Sequence, residues 1–177
     1  TTQGDQFRYY GPYSLEGKNY ADEPWFKEVM SKGTYVSDIF QGFRGIPHLV
    51  IAFKYTLNDV DYIFRSTVDT ERFNDLLAEI KLIGNDDAFL INHQGVIQTP
   101  TRSHGKVLET IELPAPDYAA HTRVIEVDDE DGERYIIGYA YLKDTPFILM
   151  ITAQKSALMR PWLKTQIVII SFLAIGI

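Results

Sequence analysis

The last eleven residues, Ile167 to Ile177 (IVIISFLAIGI), carry no charge and almost nothing polar. A water-soluble domain gains nothing by ending this way, because apolar surface left in water costs about 25 cal/mol per Å². Spanning a bilayer takes about 20 apolar residues, so the run is about half of a membrane helix. Its approach, Arg160-Pro161-Trp162-Leu163-Lys164, suits a headgroup region, where Trp anchors and basic side chains snorkel. A buried C-terminal core helix is the competing reading. Pro161 would break a helix passing through it, at about 3 kcal/mol, and fits better in the first turn of a new one. The sequence therefore predicts an exit helix over 153–166 and the start of a transmembrane helix over 167–177.

At the other end, Thr1 to Asp5 shows neither the basic nor the apolar stretch of a signal peptide. The chain is expected to be an internal piece of a larger protein, with an earlier membrane segment before Thr1. A length of 177 residues allows one ordinary domain or two small ones. Apolar residues make up 45%, too many for a disordered chain, and the net charge of -7 excludes a broadly nucleic-acid-binding surface. With no cysteine there is no disulfide, thiolate nucleophile or Cys-ligated metal.

Leu49 to Phe53 and Tyr62 to Val68 are β-branched and aromatic runs joined by a polar turn at Thr56 to Asp61, which predicts an antiparallel pair. Phe73, Leu76, Leu77 and Ile80 follow at helical spacing, predicting a helix over 70–82 with Asp69 as N-cap and Gly84 at its end. Upstream, Gln6 to Tyr13 reads as a strand with an aromatic face. A short helix lies within Asn19 to Met30, with Asp22 able to cap it, Pro24 in its first turn, and Trp25, Val29 and Met30 on one face. Tyr35 to Phe40 reads as one further strand.

The second half repeats this grammar. Ala88 to Asn92 and Val96 to Thr99 flank a hairpin turn at His93-Gln94-Gly95. Arg123 to Val127 and Arg134 to Leu142 flank the acidic turn 128–132, Pro146 to Thr152 is a last strand, and a helix starts near Ala153. The order strand–turn–strand–helix occurs twice, at 49–82 and 135–166. The expected fold class is α+β, with antiparallel sheets in two modules, 1–83 (lacking its first helix and strand) and 84–152.

Catalytic signatures are missing: there is no phosphate-cradling glycine motif, no H-E-x-x-H and no nucleophile elbow. Gly42-Phe43-Arg44-Gly45 reads as a turn. His48, His93, His104 and His121 have no metal-ligand spacing. Registering Gly132 as the turn glycine of a calcium loop puts Val127 at the first ligand position and Gly138 at the last, so that reading fails. No catalytic group, metal or cofactor is expected in this segment.

One set of residues has the character of a binding site: Trp25, Phe26, Tyr35, Ser37, Asp38, Arg65 and Asp69. An aromatic wall with a few polar groups offers stacking surface and a carboxylate for an amine or hydroxyl. Core packing for Trp25, capping for Asp69 and turn support for Asp38 are the structural alternatives.

The stretch Gly17-Lys18-Asn19-Tyr20-Ala21-Asp22, then Trp25-Phe26, then Gly33 to Phe40 (GTYVSDIF), then Pro47 to Phe53 (PHLVIAF) resembles the double Cache sensor domain of bacterial membrane histidine kinases. Arg65 to Asp69 followed by Phe73, Ala88 to Asn92 with Gly95 to Thr99, and the exit Ala153 to Leu158 extend the resemblance over nearly the whole chain. It implies two PAS-like modules stacked along the membrane normal, a long N-terminal helix and a ligand pocket in the membrane-distal module. The amino-acid-binding branch has an Arg two residues before the Trp and a Tyr after it. Here those positions hold Glu23 and Phe26, while the Asp ending the last distal strand is present as Asp69. Glu23, Asp38 and Asp69 together would suit an amine, a cation or a neutral polar ligand.

The functional expectation is therefore the extracytoplasmic sensor of a two-component histidine kinase. It would lie outside the plasma membrane, bind a small molecule, be anchored by its C-terminal helix and be homodimeric in the full-length protein. A chemoreceptor or diguanylate cyclase could carry the same sensor, and a membrane-tethered solute-binding or adhesion module is the alternative from another class.

Overall fold

A computed structural model describes the chain except for Glu16, Lys81, Ile83, Asn85, Glu130, Gly176 and Ile177. Helix α1 spans Pro24–Lys32 and buries Trp25, Phe26 and Val29. Glu23, not Asp22, holds its N-cap position, without a side-chain cap bond. Gly33 ends it at φ 81°, a conformation glycine reaches without Cβ strain, and donates its N–H to the Val29 carbonyl.

The first sheet is built on β3 (Pro47–Leu57), which pairs with β4 (Val60–Asp69) on one side and with β1 (Thr34–Val36) and β2 (Phe40–Gln41) on the other. The β3–β4 hairpin is longer than its sequence signal, because Asn58 and Asp59 both take positive φ (51° and 60°) and close it in two residues. Asn and Asp tolerate that conformation, and its twist matches the strands.

The single strand expected over 35–40 is two. Val36 pairs with Ile51 and Phe40 with His48, so three residues, Ser37 to Ile39, oppose two on β3. This is a β-bulge. Ser37 stabilises it by accepting the Val50 N–H on its hydroxyl oxygen (2.9 Å) and donating to the Asp38 carbonyl (2.7 Å).

Gln6 to Tyr13 forms no strand. The segment is fixed instead by a bridge between Asp5 and Asn19 and by Gln6 N–H to the Lys18 carbonyl (3.1 Å), and it lies across the sheet without pairing to an edge. Helix α2 runs Thr70–Ala78, shorter than expected. Phe73 reaches Phe147 of the second half (6.2 Å between rings), but Leu76 is largely exposed, so the apolar stripe has little to hold it beyond that point. Asp69 sits at the N-cap without capping. The expected end at Gly84 borders residues outside the described set.

The second sheet has the order β5-β8-β7-β6, from β5 (Asp87–Asn92), β6 (Arg123–Asp128), β7 (Arg134–Tyr141) and β8 (Phe147–Gln154). The segment 96–99 is no strand but a run held between β5 and the loop at 108–110, with bridges Ile91 to Ile97 and Val96 to Thr110. Each sheet has its own core: Tyr20, Trp25, Val29, Val50 and Ala52 under the first, and Phe89, Ile91, Ile97, Ile137, Ile148 and Met150 under the second. Ile39, Leu49, Leu90 and Phe147 form a third cluster that joins them.

β8 continues into α3 (Lys155–Ile175), 21 residues that are long and apolar enough to cross a membrane. The helix does not restart at Pro161, as expected, but passes through it. Proline costs the helix one backbone bond, that to the Ala157 carbonyl, in an element of 21 residues, and the Thr165 hydroxyl donates to the Pro161 carbonyl (3.0 Å).

Candidate ligand cavity

A cavity of about 760 Å³ opens in the first half of the chain, between the segment from Gly4 to Leu15, α1, β4 and the turn before β3. Its back wall follows from strand alternation. Arg65, Thr67 and Asp69 occur at every second position of β4 and so share one face, opposite Ala52, Val50 and His48 of β3. Trp25 and Phe26 close the cavity from α1, and Tyr9 and Tyr13 from the N-terminal segment.

Two arginines dominate the electrostatics. Arg44, from the Gly42 to Gly45 turn, grips Asp69 with both Nη atoms, at 2.8 and 3.1 Å. Its guanidinium carbon lies 3.9 Å from the centre of the Tyr13 ring, and its side chain is only 7% exposed. Burial opposes that charge, but hydrogen bonds to Tyr13 and Asp69 outweigh it and hold the guanidinium pKa above its ordinary value. Arg65 lies 4.7 Å from the Tyr20 ring and 5.1 Å from the Trp25 ring, and its Nη2 donates to the Thr67 hydroxyl (3.2 Å).

Four of the seven residues singled out from sequence therefore line the cavity: Trp25, Phe26, Arg65 and Asp69. Tyr35, Ser37 and Asp38 do not. Tyr35 packs against the core under α1, and Ser37 is consumed by the bulge. Asp38 is turned toward the second half by the extra bulge residue. There burial pushes its carboxyl above the usual carboxylate range, against the opposing effects of Asn92 and His93. Glu23 is not on the cavity wall either, and the wall carries three arginines, Arg8, Arg44 and Arg65, against two carboxylates, Asp5 and Asp69. Arg44 and Tyr13 were missed. In the sequence, the Gly42 to Gly45 turn signals only through its glycines, and Gln6 to Tyr13 has the composition of a strand.

Elsewhere the polar groups support structure. His48 Nδ1 lies 2.7 Å from the Ile46 carbonyl, and the acidic turn is organised by Asp129, whose side chain accepts from Asp131 and Glu133 N–H. Among the described residues no three His, Asp or Glu side chains come together as a metal site.

No family model and no curated protein matches the sequence. Solved structures do. The ligand-binding domain of the amino acid chemoreceptor PctC of Pseudomonas aeruginosa, in complex with GABA, superposes with a TM-score of 0.62 at 20% identity, over 82% of this chain and 66% of that one. The ligand-binding domain of the Pseudomonas fluorescens chemoreceptor CtaA with L-isoleucine gives 0.58 at 14% identity, over 80% and 60%. The chain has the Cache fold. The extracellular domain assigned to a histidine kinase, mmHK1S-Z2, shares this Cache architecture at a TM-score of 0.61 and 14% identity, over 80% of this chain and 59% of that one. The chain thus spans 60% of the CtaA domain's length and 66% of the PctC domain's.

Proposed function

We propose that this chain is the extracytoplasmic ligand-sensing module of a membrane histidine kinase, with 1–83 as the membrane-distal half and 84–152 as the membrane-proximal half. The observation that carries the reading is continuity. A cavity large enough for a small metabolite lies in one half, and the last strand of the other runs directly into a helix able to enter a membrane. Ligand in the cavity biases one arrangement of β4 and the bulge, and α3 passes a shift of about 1–2 Å onward. The energy available is the ligand's differential affinity for the two arrangements.

A chemoreceptor parent is the second reading, favoured by the CtaA and PctC domains among the similar structures. The coding sequence beyond Ile177 separates the two. A dimerisation helix bearing a phosphorylatable His and an ATP-binding domain supports the kinase, and a long coiled-coil methylation region supports the chemoreceptor.

The sensor reading is tested by screening small metabolites against the full chain in nanodiscs by thermal shift. The chain is then fused through Ile177 to the cytoplasmic part of a characterised histidine kinase in several helical registers. A hit should change autophosphorylation, and Trp25→Ala should remove the effect. A ligand that binds tightly yet leaves phosphorylation unchanged in every register contradicts the reading.

A further inference from the structure

We propose that the cavity selects an organic carboxylate lacking an ammonium group, and that Arg65 is the side chain that meets it. This rests on the reading of the cavity as the ligand site, and it departs from the amine, cation or neutral polar ligand that the sequence suggested.

An ammonium ligand needs an aromatic face or a free carboxylate. The cage formed by Tyr20 and Trp25 is already filled by the guanidinium of Arg65, at 4.7 and 5.1 Å. The acidic side chains on the cavity wall are Asp5 and Asp69. Asp69 has both oxygens on Arg44, and Asp5 Oδ1 accepts from Asn19 Nδ2 at 2.8 Å. An ammonium would meet Asp69 only in competition with Arg44, and Asp5 only through its second oxygen, Oδ2. The α-amino group of an amino acid would have to displace Arg44, which is stacked on Tyr13 and almost fully covered.

The opposite charge is well served. Arg65 has five N–H donors, of which one bonds to Thr67, and among the described residues it has no carboxylate partner. Two parallel N–H groups match a carboxylate's two oxygens. Thr67 completes the site: its oxygen accepts from Arg65, so its own O–H remains to donate to the ligand. Trp25 and Phe26 then cover the ligand's apolar body. The wall carries Arg8, Arg44 and Arg65 against Asp5 and Asp69, a local cationic excess in a chain of net charge -7. Of the two wall arginines without a carboxylate partner among the described residues, Arg8 lies over the Tyr10 ring (5.8 Å), and Arg65 is the one set beside Trp25.

The test uses matched probes on the full chain in nanodiscs, by isothermal titration: phenylacetate, phenethylamine and phenylalanine, then butyrate, butylamine and 2-aminobutyrate, with inorganic phosphate alongside. The carboxylate of at least one set should bind about tenfold or more tighter than its amine and amino acid partners and than phosphate. Arg65→Gln should abolish that binding, Arg65→Lys should weaken it about tenfold through loss of the fork, and the near-isosteric Thr67→Val should weaken it several-fold with the fold intact by circular dichroism. Amines, amino acids or phosphate binding more tightly than carboxylates, with binding lost in Trp25→Ala, would overturn the inference and leave the ligand-site reading standing. Carboxylate affinity unchanged in a folded Arg65→Gln would also overturn it. Absence of binding by every probe, with any hits of a wider screen unaffected by Trp25→Ala, would remove the ligand-site reading as well.

Discussion

The backbone N–H of Ile39 donates to the side-chain oxygen of Gln98 at 2.7 Å, a buried bond between groups 59 residues apart. It joins the bulge of the first sheet to the segment beside β5, at the centre of the apolar seam between the halves. Gln98 is fully buried and spends its amide group on the Val96 carbonyl (3.1 Å), so its orientation is fixed.

Gln98→Leu keeps the volume but leaves the Ile39 N–H without a partner. A buried unsatisfied donor costs about 1–3 kcal/mol. The variant should lose about that much in denaturant unfolding, and the lost coupling should weaken the response of the kinase fusion more than ligand affinity.

Asp38 titrates with a raised pKa in the folded chain, chiefly from burial. The native state then holds the proton more tightly than the unfolded chain. Stability linked to this group is complete below the ordinary Asp pKa of 3.8 and falls as pH rises through the higher folded value. Asp38→Asn should therefore be more stable than wild type near pH 7, with the difference shrinking toward pH 4, as read by thermal melts across that range.

His104 has the opposite sign. Its Nε2 lies 2.8 Å from the Thr152 hydroxyl, its ring faces Phe89 and Tyr135, and burial lowers its pKa against the pull of Asp87 and Glu112. A depressed histidine stabilises above its ordinary pKa of 6.5 and loses that contribution as pH falls through the folded value. His48 is lowered in the same direction, also by burial. His104→Gln should flatten the acid limb of the stability–pH curve below pH 6.5, and His48 should account for a remaining slope of the same sign.

The β3–β4 turn offers a backbone test. Asp59 has φ of 60°, which glycine adopts without strain. Asp59→Gly creates an Asn-Gly turn and should stabilise by up to about 1 kcal/mol, measured as a raised denaturant midpoint with unchanged slope.

Where one face of a strand is buried and the turn chemistry is local, the sequence was readable. The β3–β4 pair, α1, β7, β8 and the row Arg65, Thr67, Asp69 all follow from period and punctuation. The alternation rule fails at Ser37, because a bulge adds a residue and reverses every later side chain. That is why Asp38 left the site, whereas Tyr35, which precedes the bulge, packs against the core with Trp25 and Val29. Gln6 to Tyr13 has a strand's composition but no edge to pair with, a non-local fact. Arg44 reaches Asp69 across 25 residues, and no spacing rule links a turn arginine to a strand end. Pro161 predicts a helix boundary by a local rule, and the helix on either side of it outweighs the one backbone bond lost.

The central claim is that occupancy of the cavity changes the strand feeding α3. Amide hydrogen exchange on the full chain in nanodiscs, with and without the tightest-binding carboxylate, tests it most directly. The account predicts slower exchange in Gln6 to Tyr13 and β4, together with a change at Ile39, Leu90 and the β8–α3 junction. Protection confined to the cavity, with Ile39 and β8 unchanged, would contradict it.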